Sequence, residues 1–172
     1  MLYKTLLLIM LTLLCIQCAS KDTESTHQES NAVSTADNNR VYSYNNKAAF
    51  KTFEALQLDS THANLLDPRI AKDSYQEVQQ AWVQLHTALG TFLTEKDFKW
   101  NSSDSAIRVV HKIYFDTTGH IRHHFINVVT PSVSDTTIDD FTKLLMEFGS
   151  THQVALKREV PFAQCGRTEY AN

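Results

Sequence analysis

Four histidines lie close together in the middle of the chain: His111, His120, His123 and His124. Imidazole binds transition metals and transfers protons near neutral pH, so such a cluster could serve either chemistry. The surrounding residues alternate between apolar and polar, which predicts strands whose successive side chains point to opposite faces. In that pattern His111 and His123 share one face, whereas His124 points the other way and His120 lies in the turn. Two converging imidazoles are too few ligands, so we predict no metal site.

Cys165 is the second candidate, in the segment Ala163-Gln164-Cys165-Gly166. A nucleophilic thiol needs a neighbouring base and an electropositive setting that lowers its pKa. The sequence places no basic helix start beside Cys165 and does not identify a partner histidine. A buried, unreactive thiol is the usual role of a lone cysteine, and we predict that role. A small hydrolase that uses Cys165 with a histidine base is the alternative.

The other two cysteines follow an apolar run from Leu6 to Leu14. The run is shorter than the roughly 20 residues that span a bilayer, which favours a cleaved export signal. The next residues read Leu13-Leu14-Cys15-Ile16-Gln17-Cys18-Ala19-Ser20. They resemble a bacterial lipoprotein signal in the relaxed form of Bacteroidetes. The resemblance implies cleavage before Cys18 and attachment of diacylglycerol to it. Cys15 is the competing acceptor, and an ordinary secretory signal is the plainer alternative.

Composition and charge exclude several classes of function. The formal net charge is −3 and there is no run of Lys or Arg, whereas phosphate backbones are bound by clustered basic side chains. We therefore predict no nucleic-acid partner. The chain has only four glycines and no glycine-rich phosphate loop, and we predict no cofactor. Because Cys15 is predicted to leave with the signal and Cys18 to carry the lipid, Cys165 has no partner for an internal disulfide.

Polarity divides the chain into three parts. Residues 1–17 are the predicted signal peptide, and residues 18–46 are rich in Ser, Thr, Asn and acidic residues without apolar periodicity. Such a segment cannot bury enough apolar surface to offset its ordering entropy, so we predict a flexible tether. Residues 47–172 carry periodic apolar patterns and are predicted to form a single domain.

Three segments of this domain have helical periodicity. A short helix is predicted from Lys47, and the longest one follows Ser74-Tyr75-Gln76-Glu77, which has the pattern of a capping box. A third helix is predicted to begin after Ser134 and to end at Gly149. The apolar stripe of the longest helix consists of Tyr75, Val78, Trp82, Leu85, Leu89 and Phe92.

A period of two replaces the helical period from Ala106 onward. Residues 116–119 predict a turn between two strands, with Phe115 opposite Ile121 and Ile113 opposite His123. Residues 154–160 are predicted to form a third strand, and the segment from 162 a short edge pairing. The predicted core face of the hairpin is formed by Val109, Ile113, Phe115, Ile121, Phe125 and Val129.

Residues 72–160 thus have the predicted order helix, strand, tight turn, strand, helix, strand. Their centre reads Val110-His111-Lys112-Ile113-Tyr114-Phe115-Asp116-Thr117-Thr118-Gly119-His120-Ile121. In both respects they resemble the C-terminal domain of TonB-like proteins, over about half of the chain. The resemblance implies a similar fold and a sheet edge able to bind an extended peptide. It does not imply coupling between two membranes, because the uncleaved membrane helix and proline-rich spacer of the energising members are missing.

The predicted fold class is α+β, with helices packed on one face of a small antiparallel sheet. The predicted function is a non-catalytic binding or protein-interaction module of the bacterial cell envelope. Its predicted partners are the outer membrane, through lipid on Cys18, and an envelope protein or peptide. The sequence does not distinguish the periplasmic side of that membrane from the cell surface.

Overall fold

A computed structural model describes residues 39–172 of the chain. The predicted signal peptide, Cys15, Cys18 and most of the predicted tether lie outside the described residues. The helices of the described part are α1 (Lys47–Ala55), α2 (Tyr75–Glu95) and α3 (Asp135–Thr151). Its strands are β1 (Arg40–Ser43), β2 (Ala63–Asn64), β3 (Ala106–Phe115), β4 (Ile121–Val128) and β5 (Phe162–Ala171).

The strands form one mixed sheet in the order β1-β4-β3-β5-β2. β3 is antiparallel to both β4 and β5, whereas the outer strands β1 and β2 run parallel to their neighbours. Each outer strand is far along the chain from its partner, so no tight turn fixes an antiparallel direction. The fold is α+β, but the predicted all-antiparallel sheet is corrected to a mixed one.

Both faces of the sheet carry helices. α2 and α3 cover the face that bears Val109, Ile113 and Ile126, and these residues belong to the main hydrophobic core. α1 lies on the opposite face, where Phe53 stacks on Phe125 with ring centroids 4.7 Å apart. The prediction that all helices pack on one face was therefore wrong for α1.

The sheet also begins earlier in the chain than the predicted domain start at Lys47. β1 lies inside residues 18–46, which we predicted as tether, and pairs with 123–126 of β4. Just before it, the Asn39 side chain donates a 2.8 Å hydrogen bond to the carbonyl of Met146 in α3. Four residues are too few to show a period, so only the pairing with β4 makes this segment a strand.

The longest helix, α2, has the predicted apolar stripe but not the predicted cap. Ser74 ends a short 3-10 helix (Lys72–Ser74) and forms no side-chain cap. Glu77 instead accepts a hydrogen bond from Arg158 at 3.2 Å. The helix is held by its packing, since each fully buried large aliphatic side chain contributes about 1.5–3 kcal/mol. The buried residues of α2 are Val78, Ala81, Leu85, Leu89, Phe92 and Leu93.

The N-terminal cap of α3 is confirmed, whereas its predicted end is not. The Ser134 hydroxyl accepts from the amide of Thr137 at 3.2 Å, which satisfies one of the free donors at the helix start. The helix continues through Gly149 to Thr151. Gly149 serves packing instead, because a Cβ there would lie 2.2 Å from Nδ2 of Asn39.

The hairpin of β3 and β4 has the predicted turn but a different register. Phe115 pairs with Ile121 as predicted, whereas Ile113 pairs with His124 rather than with His123. A register shift between Tyr114 and Phe115 causes the difference, since an extra residue in one strand moves all later side chains to the other face. Phe125 and Val129 therefore leave the predicted core face.

The last strand, β5, consists of residues for which we predicted only a short edge pairing, after a third strand at residues 154–160. It pairs with β3 along its whole length and extends from 162 to 171. Residues 154–160 form no strand, although Val154 and Leu156 are buried and alternate as strand residues do. Their alternation fills the core near the hairpin turn, where the amide of Val154 donates to the carbonyl of Gly119 at 2.9 Å.

Candidate functional site

Three histidines meet in the core between α2 and the sheet, in a combination that the sequence did not indicate. His111 of β3 and His124 of β4 are 0% and 1% exposed. Their Nδ1 and Nε2 atoms are 2.9 Å apart, at hydrogen-bonding distance. His86 of α2 packs edge-on against His111, with ring centroids 4.7 Å apart. The shifted register brings His124 to this face and sends His123 to the other, opposite to our prediction.

These histidines, of which His111 and His124 are buried and His86 is half-buried, have few polar neighbours. The Tyr170 hydroxyl lies 3.1 Å from Nε2 of His111. Nδ1 of His124 and both ring nitrogens of His86 have no hydrogen-bond partner among the described residues. An imidazole without polar partners can be accommodated in a core only in its neutral form, because a buried charge loses its hydration. Among residues 39–172 no group of three or more His, Cys, Asp or Glu side chains is arranged to bind a metal ion.

Burial controls the protonation of all three rings. Loss of hydration lowers the pKa of His86 to about 4 and that of His124 to about 3. Burial, and then the neighbouring imidazoles of His124 and His86, lower the pKa of His111 well below its usual range. The cluster is therefore neutral at neutral pH and is expected to respond to acid by destabilisation.

A cleft opens on the opposite face of the sheet, between α1, the short 3-10 helix Leu58–Ser60 and strands β3 and β4. Its volume is about 350 Å³, near the lower end of the range for small-molecule sites. The ring of Phe53 stacks on Phe125 and lies 5.9 Å from Tyr114. The residues that line the cleft are Phe50, Phe53, Glu54, Gln57, Leu58, Asp59, Lys112, Tyr114 and Phe125.

One polar network forms the floor of this aromatic cleft. Asp59 accepts from Nζ of Lys112 at 2.6 Å and from the hydroxyl of Tyr114 at 2.9 Å. Burial acts to raise the pKa of Asp59, but the hydrogen bonds from Lys112 and Tyr114 outweigh it and lower the pKa. Burial, together with the bond to Asp59, raises the pKa of Tyr114 well above its usual range. The network thus offers a carboxylate and a neutral phenol in fixed positions.

Cys165 lies beside this network but not in a nucleophile's environment. It is half-buried and pairs with Lys112 across β3 and β5. Burial raises the pKa of the Cys165 thiol, and the opposing effect of Lys112 is smaller. Among the described residues no histidine forms a hydrogen bond with this thiol. His62 packs on the network, where its ring contacts that of Tyr114 edge-on.

The remaining predicted histidines are separated from each other. His123 lies on the cleft face, where its Nδ1 is 3.3 Å from the hydroxyl of Tyr42. Burial is the main cause that lowers the pKa of His123. His120 lies in the exposed turn and contacts Thr118 at 2.8 Å. The structure therefore brings together His111 and His124 alone of the four histidines noted in the sequence.

Two parts of these sites were missed from the sequence. His86 lies four residues after Trp82 and three before Leu89, at the border of the predicted apolar stripe of α2, but nothing in the sequence marks it as a neighbour of His111. The cleft had a weak signal, because Phe50 and Phe53 are three residues apart and so share one face of α1. That spacing predicted only a short helix, and no residue of α1 is fully buried in the structure.

Comparison with known proteins finds no family model, no curated protein and no solved structure that matches the chain. Within the part of the chain that the structure describes, no helix combines the length and apolar character needed to cross a bilayer.

Proposed function

We propose that this chain is a lipid-anchored protein of the bacterial cell envelope whose domain is a non-catalytic binding module. The observation that carries the proposal is the aromatic cleft with its polar floor. Aromatic walls bind apolar groups by burial of surface, and a few fixed polar groups select their orientation. The cleft has both features, on a sheet face that α1 covers only in part.

The chemistry of the cleft favours a flat apolar group with one polar end. Phe50, Phe53 and Phe125 supply the apolar surface. Asp59 can accept a hydrogen bond from a ligand, since its side chain is 67% exposed, and the neighbouring Lys112 can donate one. A phenol or indole fits this pattern, whether as a small molecule or as a side chain of an envelope protein or peptide.

The anchoring part of the proposal rests on the first residues of the chain. Cys18 follows a short apolar run and precedes small and polar residues, as in lipoprotein signals of Bacteroidetes. A lipid on Cys18 would hold the domain at the outer membrane, facing either the periplasm or the outside. The lipid would supply the membrane affinity that the domain itself is not proposed to have.

A hydrolase based on Cys165 is not proposed. Its thiol has a raised pKa and no histidine partner among the described residues, whereas nucleophilic cysteines have a lowered pKa and an adjacent base. The likeness to TonB C-terminal domains stays a proposal about the fold, supported by the order α2, β3, β4, α3, β5. For function, this likeness supports only the binding of a partner, by the cleft or by a sheet edge.

The cleft is tested with p-cresol and indole as probes, by ligand-observed saturation-transfer NMR on the purified protein. Phe50→Ala should weaken binding of both probes about fivefold, because it removes part of one wall at about 1 kcal/mol. Leu56→Ala is the matched control, since Leu56 is exposed at the C-terminal cap of α1 and does not line the cleft. Absence of saturation transfer to the unaltered protein, or an equal loss in both variants, would contradict the proposal.

The anchor is tested by incorporation of labelled fatty acid in the native host. Cys18→Ser should abolish labelling and release the protein from membranes, because one residue carries the lipid. Cys15→Ser is the control and should leave both the labelling and the membrane attachment unchanged. Labelling that persists in Cys18→Ser and disappears in Cys15→Ser would move the acceptor to the earlier cysteine.

A further inference from the structure

Strand β5 has one covered and one open long edge. On the inner side it pairs with β3 from residue 162 to residue 171. On the outer side β2 covers only Phe162 and Ala163. The Asn64 side chain extends this cover by accepting from the amide of Cys165 at 3.0 Å. Beyond that point the outer edge of β5 has no strand beside it among the described residues.

The backbone groups on this edge can be assigned from the contacts of β2. The carbonyl of Ala163 accepts from the amide of Leu65, and the amide of Cys165 donates to the side chain of Asn64. The backbone N–H and C=O groups of both residues therefore point away from β3, toward the outer edge. Backbone groups alternate in direction along a strand. Arg167 and Glu169 therefore also present their N–H and C=O groups outward, and neither side chain is buried. An open edge of this kind is a template for another strand.

The charges on the edge suit a second copy of the same chain. We propose that residues 166–170 of β5 pair antiparallel with the same residues of another molecule, about a two-fold axis at Thr168. Arg167 then lies directly opposite Glu169 of the second copy, and Glu169 opposite its Arg167. A two-fold axis at Arg167 or at Glu169 would instead place identical charges opposite each other, which is unfavourable. The charge pattern thus selects one register.

The same register agrees with the backbone and with a neighbouring arginine. Two antiparallel strands exchange hydrogen bonds where residues whose backbone groups point toward the partner lie opposite each other. Arg167 and Glu169 both have such backbone groups, and this register places them opposite each other. Nε of Arg108 lies 3.2 Å from Oε2 of Glu169 within one molecule. Each Glu169 would therefore lie between two guanidinium groups, one from each copy. A contact of this length is much smaller than a stable dimer interface, so we expect weak, salt-sensitive association.

The test uses two opposite charge changes and their mixture. R167E makes the edge acidic and E169R makes it basic, so each variant alone opposes self-pairing. Sedimentation of the purified full chain at low ionic strength should show association about tenfold weaker for either variant than for the unaltered protein. An equimolar mixture of the two should associate about as strongly as the unaltered protein, because acidic edges then face basic ones.

Lys143→Glu is the matched control, since Lys143 is an exposed side chain of α3 away from the edge and its replacement changes the net charge equally. It should leave association at low ionic strength unchanged, while high salt should weaken association of the unaltered protein. The proposal is overturned if the unaltered protein is monomeric at the highest soluble concentration. It is also overturned if the mixture associates no better than its components, which would show that the charges do not face each other.

Discussion

Acid should unfold this domain through the buried His111 and His124 and the half-buried His86. A histidine in the unfolded chain has a pKa of about 6.5, whereas burial lowers the pKa of His86 to about 4 and that of His124 to about 3 in the folded domain. Below pH 6.5 the unfolded chain therefore binds protons that the folded domain does not bind. The contribution of these neutral histidines to the free energy of unfolding is therefore fully present above about pH 6.5. It is lost as the pH falls from there toward the pKa values of the folded domain.

The size of the loss follows from these pKa values. At about pH 5 each of His86 and His124 lowers the free energy of unfolding by about 2 kcal/mol relative to about pH 8. Together they remove about 4 kcal/mol, and His111 acts in the same direction. This is a large part of the 5–15 kcal/mol that is typical of a whole domain.

The assay is urea unfolding at a series of pH values, with His86→Phe as the test variant. His86 accepts and donates no hydrogen bond among the described residues and packs against Trp82 and His111, so phenylalanine can take its place. The variant should lose about 2 kcal/mol less than the unaltered protein between pH 8 and pH 5. Leu89→Ala is the control and should lower the whole curve without changing its slope, because it removes packing and no titrating group.

Two results would refute this reasoning. Equal slopes for His86→Phe and the unaltered protein would mean that His86 is protonated in the folded domain. A loss of stability that begins only below about pH 4 would point to carboxylates instead. Asp116 is such a group: burial acts to raise its pKa, but hydrogen bonds from Thr118, His120 and Arg122 lower it to about 2.

Three further predictions concern packing, backbone and the thiol. Trp82→Ala should destabilise the domain by about 3 kcal/mol in thermal unfolding, near the lower end for aromatic core residues because Trp82 is only partly buried. Val83→Ala beside it should change the melting temperature little, since Val83 is 61% exposed. Gly119→Ala should lower the free energy of unfolding by more than about 1 kcal/mol, because Gly119 has φ +92° and the added Cβ would lie 2.3 Å from the carbonyl oxygen of Val154. An unchanged melting temperature would contradict the geometry of this turn. Cys165 should react slowly with iodoacetamide in the folded protein and quickly in urea, because burial raises its pKa; fast labelling of the folded protein would revive the hydrolase alternative.

The helices and the hairpin could be predicted because their signals are local. A period of three to four residues marks α2 and α3, and Asp116 with Gly119 marks the turn. The places of β1 and β5 depend on partners far along the chain, which no local period contains. Residues 154–160 show the converse, because their alternation is real but reflects burial beside the turn instead of strand pairing.

The candidate sites depended on one local irregularity. The register shift after Tyr114 exchanges the faces of His123 and His124, so a prediction from strict alternation joins the wrong pair. The same shift moves Phe125 out of the core and into the cleft. Neither effect has a sequence signal, since a bulge in this hairpin needs no glycine and changes no residue type.

The position of β1 determines how the domain would respond to a pull. The chain enters the described domain at Asn39, and this entry is held by four parallel residue pairs with β4, by the bond from Asn39 to α3 and by the burial of Tyr42 and Ser43. Tension transmitted from the lipid that we propose on Cys18 would therefore load β1 before any other strand. Its detachment would lengthen the linkage by about 13 Å and withdraw Tyr42 from Phe53 at the cleft. The cleft would then lose part of its support under mechanical load while the three antiparallel strands stay folded.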